Sequence, residues 1–520
     1  MRKHGYSSDI QLQDWQLYHC LIKQLNSIMN KLKFLAFILL AALTLGFTAC
    51  GSDEPDEPKQ AAPAVVSTLP ENGSTTVEPG AISVTITYDK TITMTASDIS
   101  KIQATGATIS NVRTMSAALM LTATCAEEGQ AVTITIPAGV IKNTDGVAAA
   151  AYTLTFTTKK TELPDPIAPD GHESAAQAVL NMAPGWNLGN TLESYGDWIG
   201  NHQEPYRYET AWGQPITDAH LMQAFKEKGF KSIRVPVTWY QHMDDQGNVD
   251  EAWMNRVQEV VDYVINQGMY CILNVHHDTG AHNAAWVVAS STLQLDRYAK
   301  LWTQIATRFK NYDQHLLFEG YNEMLNTAQQ WNQPSNLSDL VYVNQHAAKF
   351  VEAVRATGGN NTYRNLVVST YAAAHGTAVL NGLTIPTDPC GNQSHIAVEV
   401  HSYDPWDWLH VYNMTWTSEC REVLNSMFRD LETYFISKGY PVIIGEYATN
   451  GAGEITIDKN STTAQKAEAG KQAGDMNRLC KRYGAASFYW MLLVDGADRS
   501  EATFRWSMEQ VADSIVNVYK

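Results

Sequence analysis

Basic residues are in short supply. The 520-residue chain sets 37 Lys and Arg against 54 Asp and Glu, a formal charge of −17. Binding nucleic acid requires a basic face, so that class of partner is excluded. Cysteine is also rare, with seven in the chain. That number cannot build a disulfide scaffold, and the absence of a CxxC pair removes structural zinc and thioredoxin-type chemistry. Cys271 lies in an apolar run and reads as a buried thiol. In an oxidising compartment Cys390 and Cys420 are candidates to pair, and sequence leaves that connectivity open. There is no HExxH helix, no GxSxG elbow and no internal repeat. The GAG at 451–453 lacks the third glycine and the strand-to-helix setting of a phosphate loop. Long apolar runs are missing too: the stretch from Phe34 to Ala49 falls short of the ~20 residues that cross a bilayer.

Hydrophobic residues make up 44% of the chain, enough for a large core and too many for general disorder. The length predicts two to four domains. Aromatics are plentiful, with 14 Trp and 24 Tyr, side chains that pair an apolar face with a polar edge as sugar sites require.

The N-terminal region reads as carrying an export signal. Residues 1–28 precede a complete signal peptide with its own Met29 and read as an over-extended start. From Met29, Lys31 and Lys33 supply a basic n-region, Phe34 to Ala49 the apolar stretch, and small residues lead to Cys50. The FTAC ending resembles a bacterial lipobox, which makes 29–49 a lipoprotein signal peptide and Cys50 the lipidated new N-terminus. Residues 50–59, with GSDEPDEP, form an acidic tether that resembles the export signals of surface-exposed lipoproteins. The implied location is the outer membrane, through a lipid anchor, facing outward.

Between 60 and 158 the sequence breaks into short alternating runs such as ISVTITYD, ALMLTAT, AVTITIP and YTLTFTT. Period-two alternation broken by Gly, Asn and Asp predicts a β-sandwich. The STLPENGSTTV opening and the PAGVIKNTDG turn resemble bacterial Ig-like domains, with the role of a spacer. Residues 159–172 carry three prolines and read as a stiff linker.

From 173 to 520 strand-like and amphipathic segments alternate. Eight apolar runs begin near 185, 232, 270, 316, 365, 396, 441 and 486, with helical periodicity between most of them. Eight such units predict an α/β fold, a (β/α)8 barrel, whose active site gathers at the C-terminal strand ends. Polar residues stand at those ends: Asn190 and Glu193, Arg234, His276 and His277, Asn322 and Glu323, His401 and Tyr403, Glu446, and Trp490. Seven ends converging on polar side chains is poorly explained by solvation alone. Glu323 and Glu446, on facing strands, supply the two carboxyls that glycoside hydrolysis needs. Arg234 would keep Glu446 ionised, Asn322 would bond the sugar 2-OH, and Trp490 would floor the sugar ring. Adjacent His276 and His277 point to opposite faces of a strand, so HHD is a poor metal site; no metal and no cofactor is expected.

The segments GWNLGNTLE, ETAWGQP, IRVPVTW, NVHHD, FEGYNE, VHSYDP, VIIGEY and FYWM resemble glycoside hydrolase family 5, most of all its subfamily 4. The resemblance covers about 185–500. It implies an endo-acting enzyme that cleaves β-1,4-glucan polysaccharides or oligosaccharides with retention, Glu323 as acid/base and Glu446 as nucleophile. Arg234, His276, Asn322, His401, Tyr403 and Trp490 would complete the site, while Asn190, Glu193 and His277 would touch substrate. The family usually has Pro after the acid/base; Met324 stands there in this chain. Trp212 and Trp406, with Trp198, Trp286, Trp331 and Trp408, lie near strand-end loops and are candidates to line a cleft. The alternatives are an endo-β-mannanase of the same fold and a surface glycan-binding lipoprotein that has lost activity.

Overall fold

The computed structural model describes residues 61–160, 170–281, 284–391, 393–449 and 457–520. The signal peptide, Cys50, the acidic tether, most of the linker and the GAG at 451–453 lie outside the described residues. Two compact units divide at Lys159 and Lys160.

The first unit is a sandwich of two four-stranded sheets. One has the order β1 (Val65–Leu69), β3 (Gly80–Tyr88), β7 (Ala118–Cys125), β6 (Thr108–Met115). The other runs β2 (Ser74–Val77), β10 (Tyr152–Thr158), β8 (Ala131–Ile136), β5 (Gln103–Thr105), and a small pair joins β4 (Ile92–Thr93) to β9 (Lys142–Asn143). The alternation read from sequence is the alternation of burial: Val84, Ile86, Leu119, Leu121, Val132, Ile134, Leu154 and Phe156 fill the core. In the KNTDG turn, the Asn143 carboxamide oxygen accepts from the Asp145 and Val147 amides at 3.0 and 2.8 Å.

The second unit is a closed parallel barrel of β11 (Gly185–Asn187), β12 (Ser232–Val235), β13 (Tyr270–Asn274), β14 (Leu316–Glu319), β15 (Leu366–Ser369), β16 (Ile396–His401), β17 (Val442–Tyr447) and β18 (Ala486–Trp490). Each strand contributes alternate residues to two environments. Cys271, Leu273, Leu316, Phe318, Val398, Val400, Val442 and Ile444 pack in the large core with the helices. Ile272, Leu317, Val367, Ala397, Ile443, Ala486 and Phe488 instead share a second cluster with Ala175, Val179 and Met182 of the helix Ala175–Met182. The barrel interior is thus apolar at one end, and the next inward positions along the strands are Asn187, Arg234, Asn274, Glu319 and Glu399, all wholly buried.

The register slips on both sides of β17: Val400 pairs with Ile444 but His401 with Glu446, and Ile444 pairs with Ser487 but Tyr447 with Tyr489. One extra residue on β17 makes a bulge, which re-aims the side chains that follow it. Gly445 occupies it for want of space, since a Cβ there would stand 1.5 Å from Glu399 Oε1. The Gly445 carbonyl accepts from Asn187 Nδ2 at 2.9 Å. Glu446 is thereby turned into the barrel mouth.

The free thiols follow burial rather than pairing. Cys271 and Cys420 are buried, Cys390 is exposed, and none of the three is in a disulfide. Burial pushes the Cys271 thiol well up, making it inert.

Candidate active site

Arg234 organises the mouth of the barrel, and all five of its N–H donors are used. Nε and Nη2 bind the two oxygens of Glu319 at 2.6 and 2.7 Å. Nη1 reaches Asn187 Oδ1 at 2.9 Å and Glu446 Oε1 at 2.8 Å, and Nη2 reaches Asn322 Oδ1 at 2.7 Å. The other oxygen of Glu446 accepts from the Tyr403 hydroxyl at 2.7 Å. Glu446 is therefore held at both oxygens, one of them by a fixed cation. Asn322 spends its carbonyl on Arg234, which turns its NH2 away as a donor.

Glu323 has a different setting. Its Oε1 meets His401 Nδ1 at 2.8 Å. Burial, with repulsion from Glu446, raises its carboxyl above the ordinary glutamate range against the pull of His401 and Arg234. One oxygen of Glu323, one nitrogen of His401 and one oxygen of Glu446 all lie within 4.8 Å of each other. That spacing would also suit a cation cradle. The donor set does not fit one, because Arg234 and Tyr403 already occupy both oxygens of Glu446.

Asn274 sets the tautomer of His276. The Val237 amide donates to Asn274 Oδ1 at 3.1 Å, so Nδ2 is the atom facing Glu319 Oε1 at 2.8 Å and His276 Nδ1 at 3.0 Å. His276 Nδ1 accepts, and its proton sits on Nε2, 3.8 Å from Glu446 Oε1. The His276 ring lies parallel to Trp490, the half-buried last residue of β18.

Around this centre stand aromatic side chains. Tyr195, Trp212 and His277 contact one another edge-on or tilted, with the Trp212 indole N–H donating to the Tyr195 carbonyl at 3.2 Å. Trp406 is half exposed and meets Tyr403 edge-on. Trp198 lies flat over Gly196, which has no room for a Cβ, and is 72% exposed.

Several residues read as strand residues lie beyond the strands. Asn190, Glu193, His276, His277, Asn322, Glu323 and Tyr403 all follow the last ladder residue. Loops, free of ladder geometry, bring His276, Asn322, Glu323 and Tyr403 to the centre.

Two expectations are corrected. Glu193 does not face substrate: it is wholly buried, and its carboxylate accepts the Asn190 amide and, at 2.9 Å, the Thr191 amide. Burial lifts it to about 7, against those amides and Arg499. It shapes the loop after β11 and holds Asn190 at φ 58°. Trp408 is likewise buried and packs on Trp416. Trp286 is tied by its N–H to Asp278 at 2.6 Å, whereas Trp331 is exposed. Met324 is buried, and its carbonyl accepts from Ala372 N at 3.0 Å.

Asn187, Asn274, Glu319 and Glu399 are the residues sequence reasoning passed over. Their signal was present as polar residues at inward positions of otherwise apolar strands: Asn187, Asn274 and Glu319 close β11, β13 and β14, and Glu399 lies two residues inside the end of β16.

A barrel with two carboxyls at its mouth, one locked beside a cation and one kept protonatable, inside a rim of aromatics, defines a glycosidic-bond hydrolase. Residues 193–495 match the family described as Cellulase (glycosyl hydrolase family 5), and the chain belongs to glycoside hydrolase family 5. Residues 59–158 match the bacterial Ig-like domain. Endoglucanase A of Clostridium longisporum is 33% identical over 366 residues, 67% of this chain and 66% of that protein. Cellulase/esterase CelE of Acetivibrio thermocellus is 37% identical over 327 residues, 61% of this chain and 36% of that protein. Among solved structures, a family 5 enzyme of Prevotella bryantii B14, crystallised as a mutant with a xyloglucan tetradecasaccharide, is 46% identical with a TM-score of 0.64, covering 67% of this chain and 99% of that one. A xyloglucan-specific endo-β-1,4-glucanase from a metagenomic library, in complex with cellotriose, is 29% identical with a TM-score of 0.56, covering 66% and 98%.

Proposed function

We propose that this chain is an exported, lipid-anchored, endo-acting β-1,4-glucanase that retains anomeric configuration. The observation that carries the reading is the unequal treatment of its two carboxyls. Glu446, aligned by Arg234 and Tyr403, attacks the anomeric carbon. Glu323, whose carboxyl burial raises, gives its proton to the departing glycosidic oxygen. A covalent glycosyl ester on Glu446 results, and Glu323, now a carboxylate, takes a proton from the water that cleaves it. Nearest atoms within 4.8 Å support the short ~5–5.5 Å carboxyl spacing of retention over the ~6.5–9.5 Å that admits a water beneath the sugar. Asn322 Nδ2 is placed to donate to the 2-OH.

The xyloglucan and cellotriose complexes of the structural relatives support a glucan backbone as substrate, and the exposed Trp198, Trp331 and Trp406 offer flat faces for a long chain. Reducing-sugar release from carboxymethylcellulose, mixed-linkage β-glucan, xyloglucan and glucomannan tests this. Release from the three glucans is expected. Release from glucomannan alone would mean a mannanase, and binding without release from any would mean a glycan-binding lipoprotein.

The lipobox-like FTAC and the acidic tether support export to the outer membrane. Cys50→Ala is expected to move activity from the membrane fraction to the soluble one with unchanged turnover. A mutant that stays with the membrane would overturn the lipid anchor.

A further inference from the structure

Glu399 lies two residues before His401 on the same inward face of β16 and is wholly buried. Its Oε2 accepts from Ser369 Oγ at 2.9 Å, and its Oε1 stands 3.3 Å from His401 Nε2 and 3.5 Å from Arg234 Nε. The missing Cβ of Gly445 is what leaves room for that oxygen. The other nitrogen of His401, Nδ1, is 2.8 Å from Glu323 Oε1 and 3.7 Å from Glu446 Oε2. Both ring nitrogens therefore face carboxyl oxygens. A neutral imidazole has a single N–H, so its other nitrogen would have to take up the acid proton of Glu323, whereas a ring with two N–H groups donates to both oxygens and leaves that proton free for the leaving oxygen. The charged groups around the ring are Glu399 on its own strand, Glu323 on the loop after β14, Glu446 on β17 and, behind Glu399, Arg234 on β12, whose Nε also faces Glu319.

We infer that Glu399 is a positioning residue for proton transfer: it holds His401 as a two-proton cation whose Nδ1–H is aimed at Glu323. The inference rests on Glu323 being the acid/base. As Glu323 releases its proton to the leaving oxygen, negative charge grows on an atom 2.8 Å from a donor already in place. Such a dipole needs no reorganisation during the reaction. Burial opposes charge on the ring, but Glu446, Glu323 and Glu399 together push His401 up to about 10.

Ring ¹⁵N NMR of the unmodified full chain tests the charge. Both nitrogens of His401 are expected to stay protonated from pH 5 to 8, and a ring with one proton at pH 7 would overturn the inference whether or not any variant folds. Glu399→Gln keeps the shape and an acceptor oxygen but removes the charge, so the ring should lose its second proton at lower pH than in the parent. With β-glucan, kcat/KM should fall about tenfold, a part of what general acid catalysis supplies. With a dinitrophenyl β-cellobioside, whose leaving group needs no proton, it should fall less than twofold. Equal losses on both substrates would mean that Glu399 only supports the fold. Should Glu323→Ala show no dependence on the leaving group, the fault would lie with the acid/base assignment and not with Glu399.

Discussion

Glu446→Ala is expected to fail on every substrate, activated aryl glycosides included, with kcat lowered on the order of 10⁵-fold. No second group can form the glycosyl ester, because the neighbouring oxygens belong to Glu323, which His401 holds on the other side of the cleft. Glu323→Ala should differ in kind. It loses proton donation, about 10²–10⁴-fold on a natural glucan, while a dinitrophenyl glycoside still forms the ester. The ester then persists for want of a base. Azide needs none, so it should speed turnover and yield a β-glycosyl azide. An α-azide would mean inversion, and a β-azide from Glu446→Ala instead of from Glu323→Ala would exchange the two roles. The pH profile gives a second reading. Burial raises Glu323, so the alkaline limb of kcat/KM in the parent should lie above the ordinary glutamate range, and Glu323→Ala should abolish it for the activated substrate.

The barrel was legible because its strands announce themselves. YCILN and LLFE are apolar runs of strand length between helical stretches, and each run became a barrel strand. The carboxyls were legible through their place at the ends of such runs. What sequence could not carry is side-chain direction beyond the ladder. Glu193 has the same residue type and much the same position as a substrate-binding group. Yet two backbone amides of its own turn capture it, and only the loop's path decides that. Glu319 and Glu399 were hidden for the opposite reason. Each is one charged residue in an apolar strand, a pattern that costs stability unless a cation waits opposite. That cation, Arg234, comes from a strand 85 residues before Glu319 and is seen only after closure.

Arg234→Met is expected to cost stability and activity together. The apolar substitute fills most of the volume but leaves Glu319, Glu399 and Glu446 in a dry layer without the guanidinium. Removing one partner of a buried ion pair costs about 3–5 kcal/mol. For a unit of this size that predicts a Tm lower by on the order of 10 °C. The pH dependence has a definite sign. Burial and Glu399 already lift Glu319 to about 7 against the pull of Arg234, while Arg234 and His401 hold Glu399 below its ordinary value. Without Arg234 both carboxyls rise. A carboxyl whose folded value exceeds its unfolded one is favourable below the unfolded value, and that gain is lost as pH rises through the folded value. The Tm deficit of Arg234→Met should therefore be smaller at pH 5 than at pH 8, as calorimetry would read. Arg234→Lys separates charge from geometry. Its ammonium restores a countercharge but has three donors on one atom, and cannot serve Glu319, Asn187, Glu446 and Asn322 at once. Part of the Tm should return while kcat stays low. A deficit that grows toward acid, or a lysine variant as active as the parent, would show that the Arg234 network neither carries the buried charge nor aligns Glu446.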